Sequence, residues 1–371
     1  MKKENKRKQM KVVQVLYSGL GGHGSVVSSL VQADTKGDWE HGLIFYGVEK
    51  LLPAYQEFCL SYRVPYLYIQ KKKGIFRLPG KEVYRAFASL QPDAIILHSP
   101  TLILPAWLYC LRHRKKLFVV EHTPHAIKGR AERIATLLSL LLARKVVCLS
   151  ENYRKELQKR IPFLNLSKRI TVIRNGIDLN RFNPLPVRER QEFHIGMAGR
   201  FSSQKNQGLI LEAAMAGFAD GRLDKQVHFH FAGEGETLDR LKQLSEEKGL
   251  ESQVHFHGLL GEMELLAFFR QLDLYVHASF AETMCTSVMQ AMACGLPVIG
   301  SDIPGINDLL PAGDNTITLL PNNQVETWLK QMLSYRDRTL RDRKAAQVRQ
   351  AAGQYFSAEE TFAIYSQLIA S

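Results

Sequence analysis

The sequence contains few cysteines, and they follow no recognisable pattern. The 371 residues include five, at positions 59, 110, 148, 285 and 294. No two form a CxxC pair, and their spacing matches no disulfide framework. Most lie in apolar or small-residue runs, where a buried free thiol is the expected state. A disulfide-stabilised scaffold is therefore not expected, and a reducing cytoplasm fits the composition.

Long apolar runs are also missing. A helix that spans a membrane needs about 18 or more consecutive apolar residues, and no such window occurs. The longest candidate, "IATLLSLLLARKVVCL", is interrupted by Arg144 and Lys145 and predicts a buried helix followed by a strand. The basic start "MKKENKRKQMK" precedes only a short apolar run that breaks at glycines, so no signal peptide is expected.

Acidic residues are scarce in the first half of the chain. Residues 1–183 contain 32 Lys and Arg against 13 Asp and Glu, whereas the remainder contains 17 against 23, and the whole chain carries +13. The basic clusters lack the interleaved aromatic residues of common RNA-binding modules, which makes nucleic acid the least favoured partner. Two other interpretations of the basic excess are equally favoured: it binds an anionic membrane surface, or it serves only solubility. The clusters are Lys2–Lys11, Lys71–Lys73, Arg112–Lys116 and Arg154–Arg160.

What the sequence does contain is a regular alternation of apolar runs and helical patterns. Runs such as "KVVQVLYS", "HGLIFYG" and "DAIILHS" alternate with helical stretches up to a polar linker, "NGIDLNRFNPLPVRERQE", and the alternation restarts at "FHIGMAG". Such alternation is typical of a parallel, doubly wound α/β sheet. We therefore predict two Rossmann-like domains, 1–183 and 184–355, that face a cleft at the carboxyl ends of their strands.

Two strand-to-helix turns have residues suited to a phosphorylated ligand. "YSGLGGHGSVVSSL" is glycine-rich but is not followed by Gly-Lys-Ser/Thr, so it predicts either an anion-binding turn or only a tight turn. In "GMAGRFSSQKNQG", Arg200 and Lys205 flank a polar loop at the end of a strand. Two cations at that position suit a diphosphate, although two solvated surface cations would look the same.

A third turn pairs a carboxylate with an amide. In "AETMCTSVMQAMACGLPVIGSD", Glu282 precedes a helix, and Gln290 follows eight residues later on roughly the same side. Met284, Cys285 and Thr286 would begin the helix with N–H groups exposed to a phosphate. The alternative is a buried, alanine-rich helix whose N-terminal acid complements the helix dipole.

Histidines are numerous, and two groups of them are informative. His228 with His230, and His255 with His257, are i, i+2 pairs on strands, but no further ligand follows at zinc spacing, so no metal site is expected. His98 and His122 each end an apolar strand of the first predicted domain, which directs them into the predicted cleft. His125 lies close by along the chain. A structural histidine is the competing interpretation.

Taken together, an ordered set of motifs resembles the family 4 retaining glycosyltransferases of the GT-B fold. The resemblance covers nearly the whole chain. Its motifs are "GLGGHG", "IRNGIDLNRF", "AGRFSSQKN", "FAGEGETLDRL", "VHFHGLL", "SFAETMCTSVMQAMACGLPVIGSD" and "FSAEETFAIYSQL". It implies a GT-B fold in which the final helix, about 356–371, returns to the first domain.

The resemblance also implies residue roles in a second domain that binds a nucleotide-sugar donor. Arg200 and Lys205 would hold the diphosphate, and Glu282 would bond a hydroxyl of the donor sugar. Residue 290 would reach the ribose, and residues 284–286 would line the phosphate. The family has Glu at both ends of the E-x7-E spacing, so Gln290 is a departure that loses a charge-assisted bond but keeps both donor and acceptor capacity.

In the first domain the resemblance implies a donor contact and an acceptor side. His122 would contact the donor sugar near the reacting carbon, and Gly21 and Gly22 would bring their backbone close to the phosphate. The residues expected on the acceptor side are Gly22, His23, His98 and His125.

The implied chemistry is sugar transfer with retention of the anomeric configuration, without a protein nucleophile, a metal or a cofactor. The expected partners are a nucleotide-sugar, with UDP ahead of GDP, and a glycan or lipid-linked acceptor in cell-surface polysaccharide synthesis. The expected location is cytoplasmic, peripheral on the inner face of the membrane. The competing hypotheses are a catalytically silent GT-B protein that binds sugar or a partner, and another GT-B enzyme such as a nucleotide-sugar epimerase.

Overall fold

A computed structural model describes residues 9–19, 21–71, 80–162, 166–184 and 191–371. Most of the basic clusters at Lys2–Lys11 and Lys71–Lys73, and the centre of the linker, lie outside these ranges. The chain divides into two compact units, one made of Met1–Gly176 with Ala358–Ser371 and the other of Ile177–Ser357.

The division falls earlier than the 183/184 boundary expected from the linker. Ile177 forms an isolated parallel bridge with Ser357. Phe182 is fully buried and its ring lies edge-on to Phe269, 6.2 Å away. Residues 177–184 of the linker therefore pack with the second unit, although this stretch is polar and aperiodic in sequence.

The first unit is a seven-stranded sheet with helices on both faces. All its strand pairs are parallel, and the order is β3-β2-β1-β4-β5-β6-β7. Its strands are β1 Met10–Tyr17, β2 Trp39–Gly47, β3 Tyr66–Gln70, β4 Ala94–Leu97, β5 Lys116–Glu121, β6 Lys145–Cys148 and β7 Ile170–Val172. Its helices are α1 Gly22–Ala33, α2 Pro53–Ser61, α3 Gly80–Leu90, α4 Ile103–His113, α5 Arg130–Leu142, α6 Glu151–Arg160 and α14 Ala358–Ala370.

The second unit repeats this arrangement with six parallel strands in the order β10-β9-β8-β11-β12-β13. Its strands are β8 Phe193–Ala198, β9 Val227–Ala232, β10 Val254–Phe256, β11 Leu274–His277, β12 Val298–Ser301 and β13 Thr318–Leu320. Its helices are α7 Gln207–Ala219, α8 Leu238–Glu247, α9 Glu262–Gln271, α10 Thr286–Ala293, α11 Pro304–Asn307, α12 Val325–Ser334 and α13 Arg338–Tyr355.

The sequence explains why both sheets are parallel and covered on both faces. Their central strands are continuous apolar runs rather than alternating ones, as in "AIIL" of β4, where every residue is buried. Such runs suit strands that are packed on both sides by crossover helices. The predicted doubly wound α/β architecture is confirmed.

The last helix, α14, packs beside α1 in the first unit. The ring of Phe362 lies 4.7 Å from the ring of Trp39, and Lys116 Nζ donates to the carbonyl of Ile369 at 2.7 Å. The chain therefore returns to the first unit after it has completed the second.

Helix α5 differs from the prediction. The sequence predicts a buried helix, but Ile134 and Leu141 are about half exposed or more. The apolar residues of α5 cover more of its circumference than the sheet can bury. Of the helices in the described ranges, none combines the length and apolar content that a bilayer crossing requires.

Each sheet has one position at which the strand order reverses. It lies between β1 and β4 in the first unit and between β8 and β11 in the second. At such a switch point the loops that leave neighbouring strands diverge, and ligands of open α/β sheets bind there. The predicted site residues follow these strands, except His122 and His125, which follow β5.

Candidate active site

The loops that follow β8 and β11 are joined to each other in the second unit. Gln204 Nε2 donates to the carbonyl of Ala281 at 2.6 Å, and the N–H of Phe280 donates to the carbonyl of Gln204 at 2.8 Å. These bonds bring Lys205 against Glu282, although the two residues are far apart in sequence.

Glu282 is the centre of a buried polar network. Lys205 Nζ donates to Glu282 Oε1, and His277 Nε2 lies 2.9 Å from the same oxygen. Cys285 Sγ lies 3.2 Å from His277 Nε2. The side chain of His277 is fully buried, and that of Glu282 is 10% exposed. The structure thus brings two predicted residues, Lys205 and Glu282, together with one that was not predicted.

That unpredicted residue is His277, which ends β11. Its Nδ1 lies 3.2 Å from the hydroxyl of Tyr275, and this hydroxyl donates to the carbonyl of Ala198 at 3.1 Å. The Ala198 N–H in turn donates to the Tyr275 oxygen. Because the hydroxyl hydrogen is already used, His277 Nδ1–H is the donor to Tyr275, and Nε2–H is the donor to Glu282. Both ring nitrogens then carry protons.

The charges of the network agree with this arrangement. Burial alone would lower the pKa of His277, but Cys285 and Glu282 raise it to about 9. Burial would raise the pKa of Glu282, but Lys205 and His277 lower it to about 2. Burial would likewise lower the pKa of Lys205, and the Glu282 charge raises it instead. A carboxylate held by two cations can accept hydrogen bonds from a ligand but is a poor proton acceptor.

Arg200 lies in the loop directly after β8, and it is partly buried. Its carbonyl accepts a hydrogen bond from Gln207 Nε2 at 2.9 Å, which ties this loop to the start of α7. Arg200 and Lys205 therefore border the same loop at the carboxyl edge of the sheet, where the fold places anionic ligands.

Helix α10 begins beside this loop and is almost wholly buried. Cys285 occupies its N-cap position, and the Cys285 N–H donates to the carbonyl of Gly305 at 3.1 Å, so this group does not point at a phosphate. Met284 and Thr286 are each 8% exposed, and Gln290 is 3% exposed. Gln290 is thus an interior residue of α10 two turns beyond the loop.

Gly305 sets the position of the Glu282 loop. A Cβ atom at Gly305 would lie 2.2 Å from the backbone carbonyl of Glu282. No side chain fits at that distance, so the backbone of α11 supports the Glu282 loop from behind. The glycine in "SDIPGIND" therefore has a steric reason that the sequence alone did not reveal.

One group of residues in the described ranges could hold a metal ion. The ligand atoms of His277, Glu282 and Cys285 lie within 4.8 Å of one another. This donor set suits a soft divalent cation. However, the carboxylate oxygen that would bind the ion already accepts from Lys205, so the group functions more readily as an ion network.

In the first unit, the ends of β1, β4 and β5 bring three predicted histidines together. His98 Nδ1 lies 2.8 Å from His122 Nε2, and His98 Nε2 lies 2.9 Å from Gln14 Oε1. The ring of His23 lies 5.7 Å from that of His122. His23 also accepts a hydrogen bond from the N–H of Tyr17, which folds it back over the start of α1.

This chain of hydrogen bonds defines the tautomers. The amide oxygen of Gln14 accepts, so His98 Nε2 is protonated and His98 Nδ1 accepts from His122 Nε2–H. Burial, reinforced by His23, lowers the pKa of His98 to about 3. Burial and the two neighbouring rings also lower the pKa of His122 well below its usual value. His122 is therefore a neutral imidazole whose Nδ1 carries the lone pair, and such a nitrogen accepts from a hydroxyl.

His125 is not part of this histidine group. It begins a short turn after Pro124, and in the described structure no hydrogen bond or ring contact joins it to His98 or His122. The turn is held by a buried ion pair instead. Lys128 Nζ donates to Glu121 and to the hydroxyls of Thr136 and Tyr153.

Gly21 and Gly22 lie at the start of α1, with Gly21 as its N-cap. A Cβ atom at Gly21 would lie 2.8 Å from the ring of His23. The glycine therefore allows His23 to fold back, which adds a packing reason to the predicted approach of a ligand.

Comparison with known families agrees with this geometry. Residues 20–181 match the family model "Glycosyltransferase Family 4", and residues 183–352 match "Glycosyl transferases group 1". This chain belongs to the family 4 glycosyltransferases. The predicted family is confirmed, and the predicted enzyme class, a glycosyltransferase, agrees with both matches.

Solved structures support the fold. The Anabaena HepE protein, solved with UDP and glucose, superposes with a TM-score of 0.80 at 18% identity, and the match covers 98% of this chain and 100% of that one. Its likeness shows the GT-B fold, as predicted.

Curated relatives match over shorter segments. The alpha-monoglucosyldiacylglycerol synthase of Streptococcus pneumoniae is 25% identical over 186 residues, which is 44% of this chain and 39% of the relative. The GDP-mannose-dependent alpha-mannosyltransferase of Corynebacterium glutamicum is 29% identical over 153 residues, which is 39% of this chain and 34% of the relative. The chain thus matches well under half the length of these relatives.

Proposed function

We propose that the chain transfers a sugar from a nucleotide-sugar to a glycan or lipid-linked acceptor, with retention of the anomeric configuration. The observation that carries this proposal is the Lys205–Glu282–His277 network at the switch point of the second sheet. It combines cations that suit a diphosphate with a carboxylate that suits a sugar hydroxyl.

The second unit would bind the donor. Arg200 and Lys205 would neutralise the diphosphate, and Glu282, kept ionised by its neighbours, would accept a hydrogen bond from a sugar hydroxyl. Met284, Cys285 and Thr286 border this loop, and Gln290 would bond the ribose through its amide. His277 orients Glu282 and keeps its charge balanced.

The first unit would contribute contacts to the sugar and the acceptor. His122, as a neutral imidazole, would contact the donor sugar near the reacting carbon. Gly21 and Gly22 would approach the phosphate through their backbone, and His23 and His98 would support this edge from the acceptor side. His125 is the weakest member of the predicted set because it is not joined to the other histidines.

The proposed reaction is a displacement on one face of the sugar. The acceptor oxygen bonds to the anomeric carbon on the face from which the diphosphate oxygen departs, and the acceptor proton passes to that departing oxygen. The protein would supply orientation and charge neutralisation, so neither a protein nucleophile nor a cofactor takes part.

The donor is proposed to be a UDP-sugar, with GDP-sugars as the second choice. A structural neighbour was solved with UDP, whereas one relative is named for GDP-mannose. The acceptor is proposed to be lipid-linked and to belong to cell-surface polysaccharide synthesis. The excess of basic residues before residue 183 supports a location on the cytoplasmic, anionic face of a membrane.

A thermal-shift screen of nucleoside diphosphates and their sugars, followed by NMR of the product, tests the proposal. We expect nucleotides of one base to raise the melting temperature of the protein. We also expect the sugar to keep its anomeric configuration on transfer. Turnover should persist in EDTA, because the Glu282 oxygen is held by Lys205. An inverted product would refute retention, and loss of turnover in EDTA that Mg²⁺ restores would refute metal independence.

One observation favours a second candidate, a silent GT-B protein that binds sugar without transfer. Gln290 stands where the family has glutamate, and it is buried. A Gln290→Glu variant separates the two candidates. If the wild type releases no nucleotide from any donor while the variant does, the chain is silent.

A further inference from the structure

Helix α4 exposes a stripe of leucines in the first unit. Leu104, Leu108 and Leu111 are 41%, 52% and 62% exposed. Their spacing of four and three residues places them on one face of the helix. The opposite face, with Tyr109 and Cys110, is buried in the core. The stripe is therefore a second apolar face rather than an extension of the core.

Helix α5 continues this surface. Ile134, Leu137 and Leu141 are exposed on one of its faces, and Ile127 is exposed just before it. The two helices pack beside each other on one side of the sheet. We call the combined surface the α4–α5 face; it consists of Leu104, Leu108, Leu111, Ile127, Ile134, Leu137 and Leu141. Scattered exposed apolar residues are ordinary, but a contiguous patch marks a binding surface.

Arginines border the α4–α5 face. Arg112 and Arg114 lie at the end of α4, and Arg130 and Arg133 lie in the first turns of α5. All four are exposed. Within the described ranges none of them forms an ion pair with an acid, and the first turn of α5 contributes one acidic residue, Glu132. Four arginines against one glutamate give the border of the face a net positive charge.

We propose that the α4–α5 face docks on an anionic lipid surface. Aliphatic side chains with arginines at the ends of their helices match the boundary between acyl chains and anionic headgroups. A second copy of the chain fits less well, because a two-fold contact would set arginine rims against each other. The proposal rests on the proposed function and deepens it, since such docking would bring the enzyme to a lipid-linked acceptor.

Flotation of the full chain with vesicles tests the docking. The wild type should float with vesicles of phosphatidylcholine and phosphatidylglycerol at low salt, and less with phosphatidylcholine alone. A Leu108→Ser/Leu111→Ser/Ile134→Ser/Leu141→Ser variant should stay at the bottom of the gradient. A control variant, Leu60→Ser/Met263→Ser, removes side chains that are 71% and 69% exposed elsewhere and should float as the wild type does.

The arginines give a second, independent readout. Arg112→Ser and Arg133→Ser should each weaken binding to the anionic vesicles roughly fivefold at low salt. The double variant should also lose most of the salt dependence. Circular dichroism of every variant checks that the fold is kept.

Two outcomes would overturn the proposal. The first is a four-serine variant that floats as well as the wild type. The second is a wild type that ignores vesicles but forms a dimer, which the same variant dissociates. Nucleotide release without vesicles separates this from the proposed function. If the wild type floats but releases no nucleotide, lipid docking is supported and the proposed function is refuted. If the wild type releases nucleotide but does not float, the proposed function is supported and lipid docking is refuted.

Discussion

Glu282 is the residue on which most of the site depends. Its carboxylate is held by Lys205 and His277, which come from different segments of the second unit. A charged acceptor of this kind is stronger than a neutral one. The network thus keeps the carboxylate ionised and fixed in place, which is what the proposed bond to a sugar hydroxyl requires.

Glu282→Gln should lower turnover about 100-fold, because the amide keeps the shape but loses the charge that orients the donor and balances Lys205. The free energy of unfolding should fall by about 2 kcal/mol or less, since Lys205 keeps access to water. Steady-state kinetics and urea unfolding measure both effects, with exposed Glu246→Gln as the control. Unchanged turnover would show that Glu282 does not touch the donor.

His277 should make stability depend on pH on the alkaline side. Its pKa is raised to about 9 in the folded chain, against an ordinary value of 6.5. The stabilisation is complete below pH 6.5 and is lost as the pH rises through 9, by up to about 3 kcal/mol. Urea unfolding at pH 6.5 and 9.5 should show this loss in the wild type but not in His277→Gln. If the free energy of unfolding falls equally in both proteins between pH 6.5 and 9.5, the assigned protonation of His277 is wrong.

Histidines on and next to three neighbouring strands form a ladder of hydrogen bonds. The pattern cannot be seen in the sequence of any one strand. His194 on β8 lies 2.9 Å from His230, which lies 3.0 Å from His257, and His228 lies 3.1 Å from His255. Each of these bonds needs one unprotonated nitrogen. Burial, together with the neighbouring rings, lowers the pKa of His230 to about 2. Burial also lowers the pKa of His255 and of His257.

The ladder should therefore destabilise the chain in acid. Below pH 6.5 the histidines of the unfolded chain bind protons that those of the folded ladder do not bind. The free energy of unfolding therefore falls as the pH falls, by about 2 kcal/mol at pH 5 for His230 alone. Urea unfolding at pH 7 and 5 should show a smaller loss in His230→Asn. As the control, a variant with the exposed His113 replaced, His113→Asn, should lose as much stability in acid as the wild type. If His230→Asn keeps the full acid sensitivity, the ladder is not its source.

Gly305 and Gly353 should respond in opposite ways to alanine. Gly305→Ala forces a Cβ atom against the Glu282 backbone and should lower both turnover and stability, whereas Gly353 in α13 has open space. Gly353→Ala should stabilise the chain by about 0.5–1 kcal/mol, because glycine is unfavourable inside a helix. Thermal unfolding and turnover of both variants check this, and a Gly305→Ala enzyme with normal turnover would contradict the close approach.

The elements themselves were largely predictable, because apolar runs and helical patterns alternate without ambiguity. The contacts between elements were not. His194 joins the ladder only because β8, β9 and β10 are neighbours in register, and the pairs His228/His230 and His255/His257 could not show that. His277 was missed because one histidine at the end of a buried strand is not distinctive. The exposed face of α5 was missed because its leucines predict burial equally well.

At the scale of the whole molecule, repetition made the fold predictable. Two rounds of strand–helix alternation separated by a polar linker predict two doubly wound units, and the ordered motifs indicate the family. The boundary at Gly176 was less predictable, because it depends on where Ile177 and Phe182 pack. The identities of the donor and the acceptor could not be predicted from this pattern, because they depend on a few loop side chains.

The most direct test of the central claim is nucleotide release from a panel of UDP- and GDP-sugars by purified protein. We expect the wild type to release one nucleotide, Lys205→Met to be slower by about 100-fold, and the exposed control Lys248→Met to match the wild type. A folded wild type that releases nucleotide from no donor, or a Lys205→Met variant as fast as the wild type, would contradict the proposed site.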